Sequence, residues 1–284
     1  LILLDEERPE LYEIKAISRE NFKNSGIETS LFPEFIALVP EGEKPGSHPL
    51  HEKGPYYCLD LSSVFSATIL KGVNEKPRVI VDMCASPGGK GIFAWKFFDK
   101  PKLIANEVIG KRIGMLISNL RRCNISSSVV TSYDTKIWAE NYKEVADLVI
   151  VDAPCSGQSL SGKGQSVSGG FHPSVINTNS NRQKRIIANA SAVVGSGGYL
   201  AYMTCTYSIA ENEKIIEWFL KKFPDFEGVY VSDLSSFQSN YTDNHCYRLF
   251  PKDNLGVGSF TALLKRRGER EDLNIYEFPR MIEN

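Results

Sequence analysis

The sequence predicts an α/β fold: a mostly parallel sheet with helices on both faces. Three observations predict it. Short apolar runs alternate with helix-spaced segments over roughly 150 residues of the chain. The runs are rich in β-branched residues and have strand length. The residues with evident chemistry fall at the carboxyl ends of those runs, where sheets of this kind bind ligands.

The elements follow in order. "CLDLSSVFSATIL" (58–70) predicts a helix packed on the sheet, and "RVIVDM" (78–83) the first strand of the alternating region. "GIFAWKFF" (91–98) has helical spacing, "KLIANE" (102–107) is a strand, and "GKRIGMLISNLRRCN" (110–124) is a strongly amphipathic helix. "SSVVTS" (127–132) and "ADLVIVDAP" (146–154) are strands, the latter the most apolar. "NRQKRIIANASAVV" (181–194) predicts a helix closed by "GSGG", and "YLAYMTC" (199–205) a strand. "AENEKIIEWFLKKF" (210–223) predicts a helix with an acidic first turn and a basic last turn, matching its dipole. "GSFTALLKR" (258–266) is a late strand.

Outside these elements, "PEGEKPGSHPLHEKGP" (40–55) is a Pro/Gly-rich loop or linker. "SGQSLSGKGQSVSGG" (156–170) is a mobile loop, and the charged end of the chain a loosely held tail. The expected division is an N-terminal extension and linker (1–55), a catalytic domain (56–267) and a tail (268–284), without repeats.

Of 284 residues, 42% are hydrophobic and 24% charged, an ordinary globular balance. No apolar run approaches the roughly 18 residues of a membrane span, and "LILLDEERPE" lacks the marks of a signal peptide. Six cysteines without a CxxC pair or a Cys/His cluster predict reduced thiols, no metal site and a cytoplasmic setting, with the nucleus or nucleolus open for a eukaryotic source. Cys58, Cys123 and Cys246 are read as small buried hydrophobes. The net charge of -1 gives no global reason to expect nucleic acid, but the distribution does. Ala153 to Ala210 contains no Asp or Glu, where the chain average predicts about seven. The same window holds Lys163, His172, Arg182, Lys184 and Arg185, which predicts a local anion-binding face.

"DMCASPGGKG" (82–91) joins the first strand of this region to its helix. It is not GxGxxG, but it places small residues from Cys84, Ala85, Ser86, Pro87, Gly88 and Gly89 to Lys90 where a backbone must approach a ligand. Glu107 ends the next strand, 18 residues after Gly89, suited to accept both hydroxyls of a ribose. Asp134 and Asp152 end the following two strands. Each acid alone is served as well by a helix cap or a turn. As a set on successive strands they suit a positively charged nucleoside, and S-adenosylmethionine fits better than a dinucleotide.

The fourth strand of this region leads into Asp152-Ala153-Pro154-Cys155, the fifth into Cys205. A thiol in this loop suggests attack on a ring carbon. Carbon 5 of cytosine is a poor nucleophile until a thiolate adds to carbon 6, after which it takes a methyl group. A thiol needs a favourable field to ionise at neutral pH. Cys205 lies at a strand end before a helix and inside the acid-free window, whereas Asp152 should raise Cys155. Cys205 is therefore the better nucleophile, Asp152 holds the cytosine edge, protonated when it serves ring nitrogen 3, and the second thiol helps release the product.

"DMCASPGGK", "VDAPCSG", "MTCTYSIAENE" and "YRLFPKDNLGVGSFTALLKR" together resemble the Sun-type (Nop/Nol/Sun, Fmu-like) RNA 5-methylcytosine methyltransferases, over roughly residues 56 to 267. The resemblance implies a class I S-adenosylmethionine-dependent methyltransferase fold, Rossmann-like and seven-stranded. It implies Cys205 as nucleophile and Cys155 in product release. It implies cofactor contacts from the Cys84–Lys90 loop, Glu107, Asp134 and Asp152, with Arg112 nearby, and it matches Gln183. Structured RNA is the implied partner, rRNA ahead of tRNA, with the enzyme a monomer. Lys163, Arg182, Lys184 and Arg185 are the candidate RNA contacts. The chain departs from the family pattern at Gln158-Ser159, Gly91 and Gly258-Ser259-Phe260, and matches only loosely at Cys58 to Ser63. Two alternatives stand beside this reading: a DNA cytosine methyltransferase attacking through Cys155, and an RNA-binding ribosome-assembly factor without turnover.

Overall fold

Strands buried on both faces read as unbroken apolar runs, and three such runs build the middle of the sheet: β3 (Val79–Asp82), β4 (Lys102–Asn106) and β6 (Ala146–Asp152). The computed structural model describes residues 1–5, 11, 28–39, 42–251 and 255–270. Residues 6–10, 12–27 and 40–41 of the expected N-terminal extension and the tail from 271 onward lie outside the described residues.

The large sheet runs β5 (Ser128–Thr131), β4, β3, β6, β7 (Val194–Thr204), β10 (Ser259–Arg266), with β8 (Phe226–Gly228) and β9 (Cys246–Leu249) both on β10. The first five are mutually parallel and β10 is antiparallel to β7. β9 pairs with Ser259–Ala262 and β8 with Leu264–Arg266, so the two lie end to end along one edge. The seven strand positions expected from the family are present, the last divided in two. The chain leaves β3 toward one edge and returns through β6 toward the other. The crevice at the carboxyl ends of β3 and β6 is thus the topological switch point, where ligands bind in such sheets.

Residue alternation divides the core between the two faces. Ile80, Leu103 and Leu148 pack with α2 (Leu61–Thr68) and α3 (Gly89–Phe97). Val79, Val81, Ile104 and Val149 pack with Ile186 and Ile187 of α6 (Pro173–Ser191) and Ile215, Ile216 and Phe219 of α7 (Glu213–Lys222). α4 (Gly110–Arg122) follows β4, burying Leu116 and Leu120. α2 is tied to β10 by Ser259 Oγ donating to Ser62 O (2.8 Å) and Thr261 Oγ1 to Ser66 O (3.0 Å). A short antiparallel pair, β1 (Ile2–Leu3) with β2 (Tyr56–Tyr57), lies apart from the sheet, while Phe35 reaches the main core with its ring 5.4 Å from Phe93.

Several expectations need correction. The segment 40–55 is not all loop: it carries a helix, α1 (Pro49–Lys53), capped by His48. α5 (Thr135–Asn141) follows β5 and was not predicted, being short with only Thr135 and Trp138 buried. α6 begins eight residues before the predicted start, because His172 caps it and Pro173 suits the first turn. "GSGG" does not close that helix. It lies inside β7, where the register slips between Ala146–Val194 and Leu148–Tyr199, and Gly197 takes a left-handed φ of +68°. The tail is held at its start, since Arg270 Nε donates to Asp147 Oδ1 (2.9 Å) and Nη1 to Lys76 O (3.0 Å). The loop after Cys155 is anchored as well: Ser156, Gln158 and Ser159 are buried, and only the stretch from Ser161 outward is largely exposed.

Candidate active site

The switch-point crevice is lined by the ends of β3, β4 and β6. β3 ends in Asp82, which is wholly buried. Its Oδ1 accepts from Cys84 N (3.3 Å), while Oδ2 has no partner. Burial first, then the Asp152 charge, pushes its carboxyl up to about 7. Sequence reading passed over this residue, although an acid ending an apolar strand was the available signal. The loop then runs through Cys84, Ala85, Ser86 and Pro87 to Gly88, whose φ of +115° requires glycine before the first turn of α3. Gly89 answers a different need: a Cβ there would lie 2.7 Å from Leu59 Cδ1, so its bareness serves packing against the chain itself. Burial pushes the Cys84 thiol well up, which leaves it a neutral group.

Glu107 is buried, with Oε1 accepting from Ile109 N (2.9 Å) and Oε2 without a hydrogen-bond donor. The Arg112 guanidinium lies 3.5 Å from Oε2 and also donates to Ser86 O, which places Arg112 between the glycine loop and Glu107. Asn106, one residue earlier, joins three strand ends by donating to Met83 O and Tyr133 O and accepting from Thr131 Oγ1. Asp134 takes the simpler role open to it: exposed, it caps α5 by accepting from Lys136 N (2.9 Å).

Lys90 belongs to the reacting end of the crevice. Its side chain is buried and Nζ lies 3.3 Å from Asp152 Oδ2. An ammonium thus occupies one oxygen of the aspartate expected to be protonated for the base. Burial pushes a different carboxyl, that of Asp82, up toward neutrality.

Asp152 pairs in register with Met203, so the loops leaving β6 and β7 start side by side. Cys155 Sγ and Cys205 Sγ are 3.3 Å apart, and both residues are half-buried. The hydrogen bond from Cys155 holds the Cys205 thiol below its ordinary range, against burial and the Asp152 charge and with help from Lys90. The same hydrogen bond, then burial, pushes Cys155 well up. The causes differ from those expected: Asp152 acts on Cys205, and the assisting cation is Lys90. The acid-free window does not assemble into one anion-binding face. Lys163 pairs with Asp60 (2.9 Å), Lys184 lies 5.7 Å over the Trp218 ring, and Arg185 sits about 200° around α6 from the inward-facing Gln183. Arg182 and Arg185 are exposed.

The window ends at Glu211, which reaches back to the Pro-Cys loop. Its buried carboxylate accepts from Ser156 N (2.9 Å), Ser156 Oγ (2.5 Å) and Gln183 Nε2 (3.0 Å), and Gln183 also donates to Pro154 O (3.0 Å). Asn212 accepts from Thr204 Oγ1 (2.6 Å) and donates to Thr206 O (2.9 Å), bracing the Cys205 loop. Glu213 holds Arg248 through two contacts. The acidic first turn expected to face the helix dipole is a buried brace for both cysteine loops. Gln158 and Ser159 belong to it: Ser159 N (3.2 Å) and Oγ (2.8 Å) donate to Cys205 O, and Gln158 Oε1 accepts from Tyr207 N (3.1 Å).

The sequence matches the family described as 16S rRNA methyltransferase RsmB/F over residues 67–265. The chain belongs to that family. A curated relative, ribosomal RNA small subunit methyltransferase F of Pectobacterium atrosepticum, is 28% identical over 233 residues, 80% of this chain and 48% of the relative. The chain spans about half the length of the curated relatives it matches. The fold is shared with NSun6 from Pyrococcus horikoshii, solved with SFG (TM-score 0.70, 24% identity, 80% of this chain and 57% of that one). It is shared also with a methyltransferase homologue from the same organism (TM-score 0.69, 21% identity, 91% and 83%). S-adenosylmethionine is the cofactor of the RsmB/F family, and the residues present fit it. Glu107 keeps a buried oxygen without a donor for the hydroxyls of a ribose, and the first turn of α3 has no side-chain cap on its N–H groups. Among the described residues, no helix is long and apolar enough to cross a membrane.

Proposed function

We propose that this chain is the catalytic part of an RNA (cytosine-5) methyltransferase acting on rRNA through a covalent adduct with Cys205. The observation that carries the reading is the 3.3 Å separation of the two sulfurs beside the Lys90–Asp152 pair. S-adenosylmethionine, when bound, supplies an electrophilic methyl group. Glu107, Arg112 and the Cys84–Lys90 loop would hold the cofactor, with Asp134 at the rim.

The Cys205 sulfur adds to carbon 6 of the ring, and the electron pair displaced makes carbon 5 nucleophilic. Asp152 keeps one carboxylate oxygen for the cytosine edge while Lys90 holds the other. Carbon 5 takes the methyl group, a base removes the carbon-5 proton, and the sulfur–carbon 6 bond breaks as the ring double bond re-forms. Cys155 acts in that last step. Its thiol, held protonated, donates to the departing Cys205 thiolate and lowers the cost of expelling it. A target within a duplex must be unstacked first, so loops and assembly intermediates are the better substrates. The names of the curated relatives favour rRNA over tRNA and over DNA, and their bacterial sources favour the cytoplasm.

The test uses in vitro transcribed 16S rRNA, with a second preparation carrying 5-azacytidine. Cys205→Ser abolishes methyl transfer and covalent trapping; wild-type activity in that variant refutes the assignment. Cys155→Ala accumulates a denaturation-resistant adduct, and its absence removes the release role. The assembly-factor alternative requires that calorimetry find no S-adenosylmethionine binding at millimolar concentration.

A further inference from the structure

A second cavity of about 410 Å³ opens beside the Cys205 loop, walled by Phe237, Tyr241, Phe250 and Arg248, with Gln238 and Asn240 at its edge. Its size falls within the roughly 300–1,000 Å³ of small-molecule sites. Tyr241 is 53% exposed and yet anchored from below. Its backbone N donates to Ser239 Oγ (3.3 Å), which donates to buried Glu213 (2.5 Å). Glu213 grips Arg248, whose guanidinium lies 5.1 Å from the Tyr241 ring centroid. A large ring so fixed and still presented to solvent is not a core residue.

Two lining residues touch the loop that carries Cys205. Arg248 Nη1 donates to Tyr207 O (3.0 Å), and the Phe250 ring lies nearly parallel to Tyr207, 6.1 Å away at 18°. Tyr207 follows Cys205 by two residues, at most about 7 Å of backbone. Three of the five guanidinium N–H groups are engaged by Glu213 and Tyr207, which leaves two donors without an acceptor among the described residues. Among the described residues the lining includes no carboxylate to repel a phosphate chain.

We infer that this cavity is a subsite for an unpaired nucleobase flanking the target cytosine. The base stacks on Tyr241 and presents its edge to Gln238, Asn240 and the remaining Arg248 donors. The inference rests on the cytosine methylation reading. A target drawn out of its stack leaves a neighbour without one, and an aromatic platform replaces it with little regard to base identity.

The experiment is methylation kinetics on in vitro transcribed 16S rRNA. Tyr241→Ala should raise KM about 5- to 50-fold with kcat within twofold, and Tyr241→Trp should restore it. RNA made abasic beside the mapped cytosine should show a similar rise in wild type and little further loss with Tyr241→Ala. S-adenosylmethionine affinity by calorimetry should be the same in all three proteins. An unchanged KM in Tyr241→Ala, a failure of Trp to rescue, or fully additive losses overturn the subsite. A wild-type protein that methylates no cytosine overturns the functional reading, and the subsite falls with it.

Discussion

Replacing Asp82 by Asn should change how stability depends on pH. In the folded chain burial and the Asp152 charge push this carboxyl from its ordinary 3.8 to about 7, while Cys84 N–H and Lys90 pull it down. Between those values the folded protein keeps a proton that the unfolded chain releases. Stability from this group is therefore complete below about pH 4 and is lost as pH rises toward 7. At about 1.36 kcal/mol per pH unit, the full loss is roughly 4 kcal/mol above pH 7 and roughly 1.5 kcal/mol at pH 5. Asn has the same shape, still accepts from Cys84 N, and does not titrate. Relative to wild type, Asp82→Asn should gain roughly 2–3 kcal/mol between pH 5 and pH 8. Urea unfolding followed by tryptophan fluorescence at both pH values measures it, and the histidines, common to both proteins, cancel. An offset between the two proteins that is the same at both pH values refutes the argument, because Asp82 would then not titrate in this range.

Glu211→Gln trades a charged acceptor of three hydrogen bonds for a neutral amide with a single acceptor oxygen; at about 1.5–3 kcal/mol per charged hydrogen bond, adduct formation on 5-azacytidine RNA should slow roughly tenfold or more. Gly258→Ala puts a Cβ 2.7 Å from Tyr207 Cε1 and 2.9 Å from Leu249 O at a φ of +103°, and thermal melting should show about 1–3 kcal/mol of destabilisation. Iodoacetamide at pH 7 should label Cys205 ahead of Cys155 by mass spectrometry, because the Cys155 hydrogen bond holds the Cys205 thiol down. Cys155→Ala removes that donor and should slow the labelling of Cys205.

The sheet was legible because β3, β4 and β6 are short apolar runs, and a parallel strand buried on two faces has no other form. The cysteines and Glu107 were legible from their places at strand ends. What stayed hidden was the choice of partner. Glu211, Asn212 and Glu213 are consecutive polar residues and read as a solvated first turn, yet each is fully buried. Nothing local distinguishes an acid serving a dipole from one serving Ser156 across 55 residues of chain. Lys163 has the same difficulty, since its partner Asp60 lies about a hundred residues back. The start of α6 was hidden for another reason. "PSVINTNSN" carries no apolar stripe, and its buried member, Ser180, is polar. Gln158 and Ser159 depart from the family pattern, and they are buried and bind the two cysteine loops to each other.

The brace explains why the chain uses two thiols on two loops. Asp152 and Met203 are paired in register, so Cys155 and Cys205 begin three and two residues beyond a shared point. Register alone brings the loops near each other without setting the distance between the sulfurs. Glu211 holds the first loop through Ser156, and Asn212, its neighbour in the chain, holds the second through Thr204 and Thr206. Ser159 closes the frame on the Cys205 carbonyl. A lone thiol at 205, half-buried and facing Asp152, would be pushed up by both burial and charge. Lys90 offsets part of that. The Cys155 hydrogen bond, a contact only a fixed neighbouring loop can offer, is the largest influence on Cys205 and acts in the opposite direction. In the proposed reaction, the thiol that makes Cys205 a better thiolate before attack is thus the one placed to receive that thiolate when the methylated base leaves.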